Sequence, residues 1–454
     1  MLSITIDRFT EFCRQYFYRI KQIFSLRKMY QILPPGLRQS LQNGETRWMI
    51  GLIVLGCLLR LVWAEDMVWK GDEIWMYQTA RAVVDGQIPY PALGMYTSMG
   101  FLNPGLGVWC FIALAWVSKD PIAMVYWVMG SNIVAIGLFA AFVRRYIPQS
   151  ERSIWFWGLT MLSVNPLAIH FSRTLWTNDI LPFVGFFVFV GHWFRQTRSG
   201  AFTWGLIGTL IGQIHMSGFF WQGALVLVSL WKEKPWKGSF WKHQSKNSRQ
   251  TRWGFWLLGT GIGIPSLVPW IAQMGGTAAT VERPSWAEIL TPNFPLHWLL
   301  SGWGLNLEYN LGEEFWRSFI QEPRILGIPS FGSAIALLLL AVSAIAALVR
   351  WWRDRDQVKP QFVITDYFWA GGVVMPLLLL LARVRVPAQY LIVLYPFIQI
   401  WAAWLERGRM RSLILICAAQ LFLSICFLTF IHIHGGNSNW PYGLVYHLHP
   451  LQNP

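Results

Sequence analysis

The sequence predicts an all-α polytopic membrane protein. Three observations predict it: 54% of residues are hydrophobic against 13% charged, long apolar runs recur between short polar loops, and many of the 29 Trp lie near run ends. A soluble chain needs more charge to cover its surface. Continuous apolar runs satisfy their backbone in lipid only as helices. Trp and Tyr at run ends match the aromatic belts of a bilayer interface.

Ahead of the first run, Phe9, Phe12, Tyr16, Ile20, Ile23 and Phe24 recur at helical spacing among Arg8, Arg14, Arg19, Lys21, Arg27 and Lys28, up to Pro34-Pro35-Gly36. Residues 1–47 are therefore expected to be cytoplasmic, either as a basic amphipathic helix on an anionic membrane face or as a solvated tail. They lack the clean apolar core of a signal peptide. Spans are expected at 48–63, 121–143, 154–168, 180–193, 201–231 (two short helices broken at His215 to Gly218), 254–274, 331–349, 364–381, 390–405 and 413–431. Cys13, Cys57, Cys110, Cys417 and Cys426 have no paired spacing and read as small hydrophobes.

Orientation turns on "NPGLGVWCFIALAWV" (103–117), which is short for a span. If it lies in the interface, "VRRYIPQSER", "RQTRSG", "KEKPWKGSFWKHQSKNSRQTR", "RWWRDRDQVKP" and "ERGRMR" all fall on the side of the N-terminus. If it spans, most of them fall outside, against the positive-inside rule. The interfacial choice gives about eleven spans, N-terminus in and C-terminus out. A transmembrane domain then occupies 48–432, with outer loops at 65–120 and 275–330 and an outer tail at 433–454. The net charge of +15 becomes inner-face charge that holds orientation against anionic lipid, not a nucleic-acid footprint.

The outer segments carry the chemistry. In "KGDEIWMYQTARAVVDGQIPYP" (70–91), Asp72 stands at an N-cap position, and Ile74, Tyr77, Arg81 and Val84 follow at helical spacing before the Gly-Pro break. "HFSRTLWTNDI" (170–180) adds His170, Arg173 and Asp179; "ARVRVPAQY" (382–390) adds Arg383, Arg385 and Tyr390. A structural reading is open for each: the two Asp as helix caps, the Arg as snorkelling side chains, His215 as a packing residue at a helix break. Together on one face they suit transfer of a group with an anionic leaving group. Guanidinium forks match phosphate oxygens, a carboxylate takes a hydroxyl proton, and a second carboxylate orients the acceptor or holds a divalent cation.

"GDEIWMYQTARAVVDGQIPYP" followed by "NPGL", then "NPLAIHFSRTLWTND" and "VPAQYLIVLYPFIQIWAAWLE", resembles the GT-C glycosyltransferases. The nearest likeness is to the bacterial dolichyl-phosphate-mannose-type branch, beside the aminoarabinose transferases of lipid A. The resemblance implies a GT-C-like helical bundle in a bacterial plasma (inner) membrane with an extracytoplasmic active site. It implies Asp72 as catalytic base, with Glu73 and Asp179 catalytic and the candidates for a divalent cation (Mg, Mn or Zn). The polyprenyl-phosphate sugar donor would be bound by His170, Arg173, Arg383, Arg385, Tyr390 and Asn103, and the acceptor would be a lipid, glycan or protein. Where many members carry Lys-Pro-Pro or His-Pro-Pro, this chain has Asn103-Pro104-Gly105, which puts a phosphate-binding cation there in doubt. The alternatives are a flippase or transporter of lipid-linked glycans, for which Asp366, His192 and His215 are the intramembrane candidates, and a ligase or polymerase using diphosphate-linked glycans.

Overall fold

The computed structural model of the protein describes residues 44–96, 102–234, 250–277, 285, 293–354, 364–384, 388–437 and 442–449. The amphipathic segment expected at the N-terminus, Cys13, Arg385, and most of the polar loops after 234 and 354 lie outside the described residues. The chain divides into two compact units, Met1–Gly51 and Leu52–Pro454. The described part of the first is the start of helix α1 (Gly44–Leu61).

From α1, a short turn leads to α2 (Gly71–Val84), the hairpin β1 (Leu93–Tyr96) and β2 (Leu102–Pro104), and α3 (Leu106–Val117). Then come α4 (Pro121–Tyr146), α5 (Gln149–Val164), α6 (Pro166–His170), α7 (Leu181–Trp193), α8 (Arg198–Ile214) and α9 (Ser217–Glu233). The later helices are α10 (Trp253–Gly263), α11 (Val268–Thr277), α12 (Asn293–Trp303), α13 (Glu308–Phe319), α14 (Gly332–Asp354), α15 (Ile364–Phe368), α16 (Met375–Leu381), α17 (Phe397–Leu405) and α18 (Met410–His434). Among the described residues, the β structure consists of three two-stranded antiparallel hairpins and one isolated bridge.

Among the described residues, five helical stretches are long and apolar enough to cross a membrane: Pro121–Tyr146, Trp253–Ala272, Gly332–Arg353, Ile364–Leu381 and Met410–His434. The pair Ala388–Leu394 and Phe397–Leu405 makes a sixth if it is one span. The protein is an all-α membrane protein. Other expected spans are helices that fall short of the roughly 20 residues a hydrocarbon core demands, such as α5 with 16 and α7 with 13.

Local chemistry sets the ends. Asp120 caps α4, accepting from the Ile122 N–H at 2.9 Å, with Pro121 in the first turn. Asn165 caps α6 through the N–H groups of Leu167 and Ala168 and donates to the Ser301 carbonyl at 2.9 Å. The break expected at His215 separates α8 from α9, with His215 extended and its Nδ1 2.8 Å from Ser217 Oγ. Two expected spans are not continuous helices. Residues 154–168 change direction at Asn165-Pro166, and 390–405 bends by 85° at Tyr395-Pro396. In both, proline removes a helix donor and disfavours helical geometry in the residue before it.

Without a hydrophobic drive between helices in lipid, close packing holds the bundle together. Glycines allow it. A Cβ on Gly205 would stand 2.1 Å from the Trp256 carbonyl oxygen, one on Gly259 2.2 Å from that of Phe202, and one on Gly158 2.5 Å from Ile400 Cα. These contacts join α8 to α10 and α5 to α17. Gly158→Ala is expected to cost about 1–3 kcal/mol by overpacking, read as a lowered thermal midpoint in detergent. Gly137→Ala, with nothing within 4 Å of its added Cβ, is expected to be neutral or slightly stabilising.

Candidate functional site

The buried face of α2 runs one position ahead of the helical series Ile74, Tyr77, Arg81 and Val84. Glu73, Met76, Ala80 and Val83 are buried, whereas Ile74 and Tyr77 are only partly so. Met76, Ala80 and Val83 pack with Val108, Phe111 and Ala115 of α3 and Met124 of α4. That register carries Glu73 inward, to 4% exposure, and leaves Asp72 exposed. Asp72 is not the N-cap: Lys70 holds that position in extended conformation, and Asp72 lies in the first turn. There the helix dipole still favours its negative charge.

A cavity of about 340 Å³ opens beside this turn, within the range of small-molecule sites. The first outer segment of the sequence reading gives it Lys70, Asp72 and Glu73, and the second gives His170, Thr174 and Trp176. Asn310 from α13, Gln389 from the turn Ala388–Leu394 and Tyr442 from the C-terminal segment complete the wall. Of the expected site residues, Asp72, Glu73 and His170 line it directly.

Asp179 lies behind Thr174. It is fully buried, its Oδ2 accepts from Thr174 Oγ1 at 2.6 Å and Thr174 N at 3.1 Å, and its backbone carbonyl accepts from Asn132 of α4 at 2.7 Å. It therefore does not cap α7. Burial pushes its carboxyl well above the ordinary range; the Thr174 bonds oppose this and the Glu73 charge adds to it. Burial likewise raises Glu73 to about 7, against the pull of Lys70 and the first-turn backbone. Asp72 is raised by its surroundings, with Lys70 opposing. Burial, then the charges of Lys70 and Arg173, lower His170 to about 3, so its imidazole is neutral at physiological pH; Asn310 opposes the shift.

Other candidates stand elsewhere. Arg173 is 2% exposed and donates to the carbonyls of Leu59 (3.0 Å), Arg60 (3.3 Å) and Trp63 (2.6 Å), so it caps the end of α1 and does not line the cavity. Nor does it snorkel. Tyr390 is buried edge-on against His215, with ring centroids 5.2 Å apart. Asn103 donates to the Met95 carbonyl across the β1–β2 hairpin at 3.1 Å. Arg383 follows α16 in left-handed conformation, away from the cavity wall. Among the described residues, no group of three or more His, Cys, Asp or Glu could hold a metal ion. Among those residues, no third such side chain joins Glu73 and Asp179.

Sequence reasoning missed Lys70, Thr174, Asn310, Gln389 and Tyr442. Lys70, Thr174 and Gln389 stood within the quoted motifs, passed over beside their charged neighbours. Asn310 and Tyr442 had no local signal, and the C-terminal segment that carries Tyr442 reaches the site through long-range pairing. Trp69 N–H donates to the Leu444 carbonyl, Tyr446 N–H to that of Met67 (both 3.0 Å), and Tyr442 Oη to that of Asp66 (2.8 Å). The buried Asp66 carboxylate meets His432 Nδ1 at 2.8 Å and His447 Nδ1 at 3.2 Å. Of the intramembrane candidates, His192 lies 3.1 Å from both Tyr367 Oη and Ser229 Oγ, and Asp366 pairs with Lys232.

No family model, curated protein or solved structure matches the chain.

The raised Glu73 carboxyl makes stability pH-dependent. The folded group holds its proton more tightly than the unfolded one, so its contribution is complete below its ordinary 4.5 and is lost as pH rises through about 7. The loss amounts to roughly 3 kcal/mol at full ionisation. Thermal midpoints in detergent are expected to fall from pH 5 to pH 8 in the wild type, and Glu73→Gln to flatten that fall. The share from Asp179, of the same sign, remains.

Proposed function

We propose that this protein is a membrane glycosyltransferase of GT-C type, moving a sugar from a polyprenyl-phosphate-linked donor to a hydroxyl of a lipid, glycan or protein. Its site would face the extracytoplasmic side of a bacterial plasma membrane. The observation that carries this reading is a convergence: loops that charge distribution assigns to one face supply Lys70, Asp72, Glu73, His170, Thr174 and Gln389 to a single cavity. The eleven-span topology belongs to the same proposal. The short helices would reach bilayer thickness through the turns that continue them, α5 with α6 and α17 with the turn before Pro396.

In the reaction, the acceptor hydroxyl gives its proton to Asp72 while its oxygen bonds to the anomeric carbon. The bond from that carbon to the phosphate oxygen breaks, and its electron pair leaves with the polyprenyl phosphate. A carboxyl raised above its ordinary value is a stronger base. Glu73, which holds its proton up to about pH 7, limits the negative charge beside the arriving donor. The phosphate charge is met by Lys70, the cationic side chain in the wall. This replaces Arg173 in the donor-binding role, since Arg173 spends its guanidinium on three backbone carbonyls. His170, neutral, contributes a hydrogen bond and no charge. No step runs through a metal ion.

Asp72→Asn is expected to leave the thermal midpoint intact and to cut sugar transfer by at least about a hundredfold, measured by mass spectrometry of product formed from purified lipid-linked donors. Full activity in that variant removes Asp72 from the role of base. Lys70→Gln is expected to lower kcat/KM for the donor by about 10- to 100-fold, with Lys70→Arg retaining most of it. Equal activity in Lys70→Gln and the wild type places the phosphate elsewhere.

A further inference from the structure

The chemistry proposed above uses the charged side of the cavity. The uncharged side holds polar atoms that have no hydrogen-bond partner among the described residues. Asn310 is 5% exposed, lines the cavity, and its Nδ2 has no hydrogen-bond partner. Gln389 lines the same cavity, and its Oε1 is buried without a partner. An amide atom left unpaired in a buried site costs about 1–3 kcal/mol. Such atoms at the wall of an open cavity therefore favour a bound partner that completes them.

The two atoms are of opposite kind. Asn310 Nδ2 donates and Gln389 Oε1 accepts. A phosphate offers only acceptors near neutral pH, so it satisfies the first and repels the second. A sugar hydroxyl donates and accepts at once, and satisfies both. Tyr442 and Trp176 stand in the same wall and offer apolar ring area to the carbon face of a pyranose or furanose. Two of these groups are held in place: the side chain of Asn310 bonds that of His170, Tyr442 is anchored by its hydroxyl on the Asp66 carbonyl, and its ring lies 5.1 Å from that of His170.

We infer that Asn310 and Gln389, with Tyr442 and Trp176, form a monosaccharide-recognition subsite in which the two amides read the hydroxyl pattern of the sugar. The inference rests on the glycosyltransferase reading for its donor, although recognition of a sugar does not require that transfer follow. A site built to hydrogen-bond a hydroxyl discriminates strongly, because an epimer that turns the hydroxyl away leaves the amides buried and unpaired again.

The test uses the full-length protein in detergent with four probes, the polyprenyl phosphates of mannose, glucose, galactose and xylose, and the sugar-free polyprenyl phosphate as reference. Calorimetric binding and product mass spectrometry are run in parallel on the wild type, Asn310→Ala, Gln389→Leu and Asn310→Asp. The last keeps the shape and the acceptor toward His170 while removing the Nδ2 donor, and serves if the alanine variant does not fold. The wild type is expected to prefer one sugar, and each variant to shrink that preference by about tenfold or more. In Asn310→Ala and Gln389→Leu, affinity for the sugar-free phosphate is expected to change less than about twofold, because the anion is held on the other side. In Asn310→Asp the added carboxylate weakens every anionic probe alike, so that variant is read by its sugar preference alone. Equal weakening across all four sugars, parallel loss of the sugar-free phosphate, or no sugar preference in the wild type overturns the subsite. Preference lost in the variants while no sugar reaches any acceptor leaves the subsite standing and removes the glycosyltransferase reading instead.

Discussion

Two buried arginines hold together the part of the molecule on which the cavity depends. Helix ends leave carbonyls without partners, and in an apolar medium water cannot supply them. Arg60 donates to the carbonyls of Gly56, Leu162 and Ser163, tying α1 to the end of α5. Arg173 donates to those of Leu59, Arg60 and Trp63, tying the segment after α6 back to the end of α1. That segment carries His170, Thr174 and Trp176, and the chain leaving α1 runs straight to Lys70, Asp72 and Glu73. Two walls of the cavity are thus fixed by one set of guanidinium–carbonyl bonds. Removing one of these arginines would take a donor from three buried carbonyls, so the cost would exceed that of losing a surface arginine.

On that frame the cavity sorts its charges by depth. Asp72 stays at the surface, Glu73 goes under, and Asp179 is sealed behind Thr174. Burial disfavours the charged form of each in proportion to its depth, so three carboxyls of similar intrinsic acidity become three different groups. His170 responds to the same burial in the opposite sense and loses its charge. Among the described residues of the wall, Lys70 supplies the cation. Such separation of protonation states by environment is what acid–base chemistry at neutral pH requires.

The C-terminal segment gives this arrangement its closure. Gly443 lies at φ +84° with its Cα against the Lys70 side chain, where an added Cβ would approach Lys70 Cδ to 2.9 Å. With Tyr442 anchored on Asp66 and Val445 paired with Val68, the segment presses Lys70 and Tyr442 into place from the far end of the chain. The site is therefore a product of sequence positions almost 400 residues apart: Tyr442 pairs with Asp66 at a separation of 376.

The residues by themselves determined much of this protein. Apolar runs fixed that it is helical and membrane-bound, because a backbone in lipid has few other ways to satisfy itself. The break at His215, the helix beginning near Asp72 and the short apolar helix Leu106–Val117 were all legible, since each rests on local propensity and period. Asp72, Glu73 and His170 were legible as site candidates because charged groups are scarce here and their setting stands out. Only the tertiary structure decided the rest. Which face of α2 is buried depends on what α3 and α4 offer it, and here that face includes Glu73. Whether a guanidinium meets a ligand or a helix end depends on which carbonyls lie within reach, and for Arg173 that geometry comes from residues more than a hundred positions away. Asn310 and Tyr442 carry no mark in the sequence, and Gln389 none beyond its place beside Tyr390, because an amide or a phenol gains its meaning from the neighbours it lacks or keeps, and those are set by packing alone.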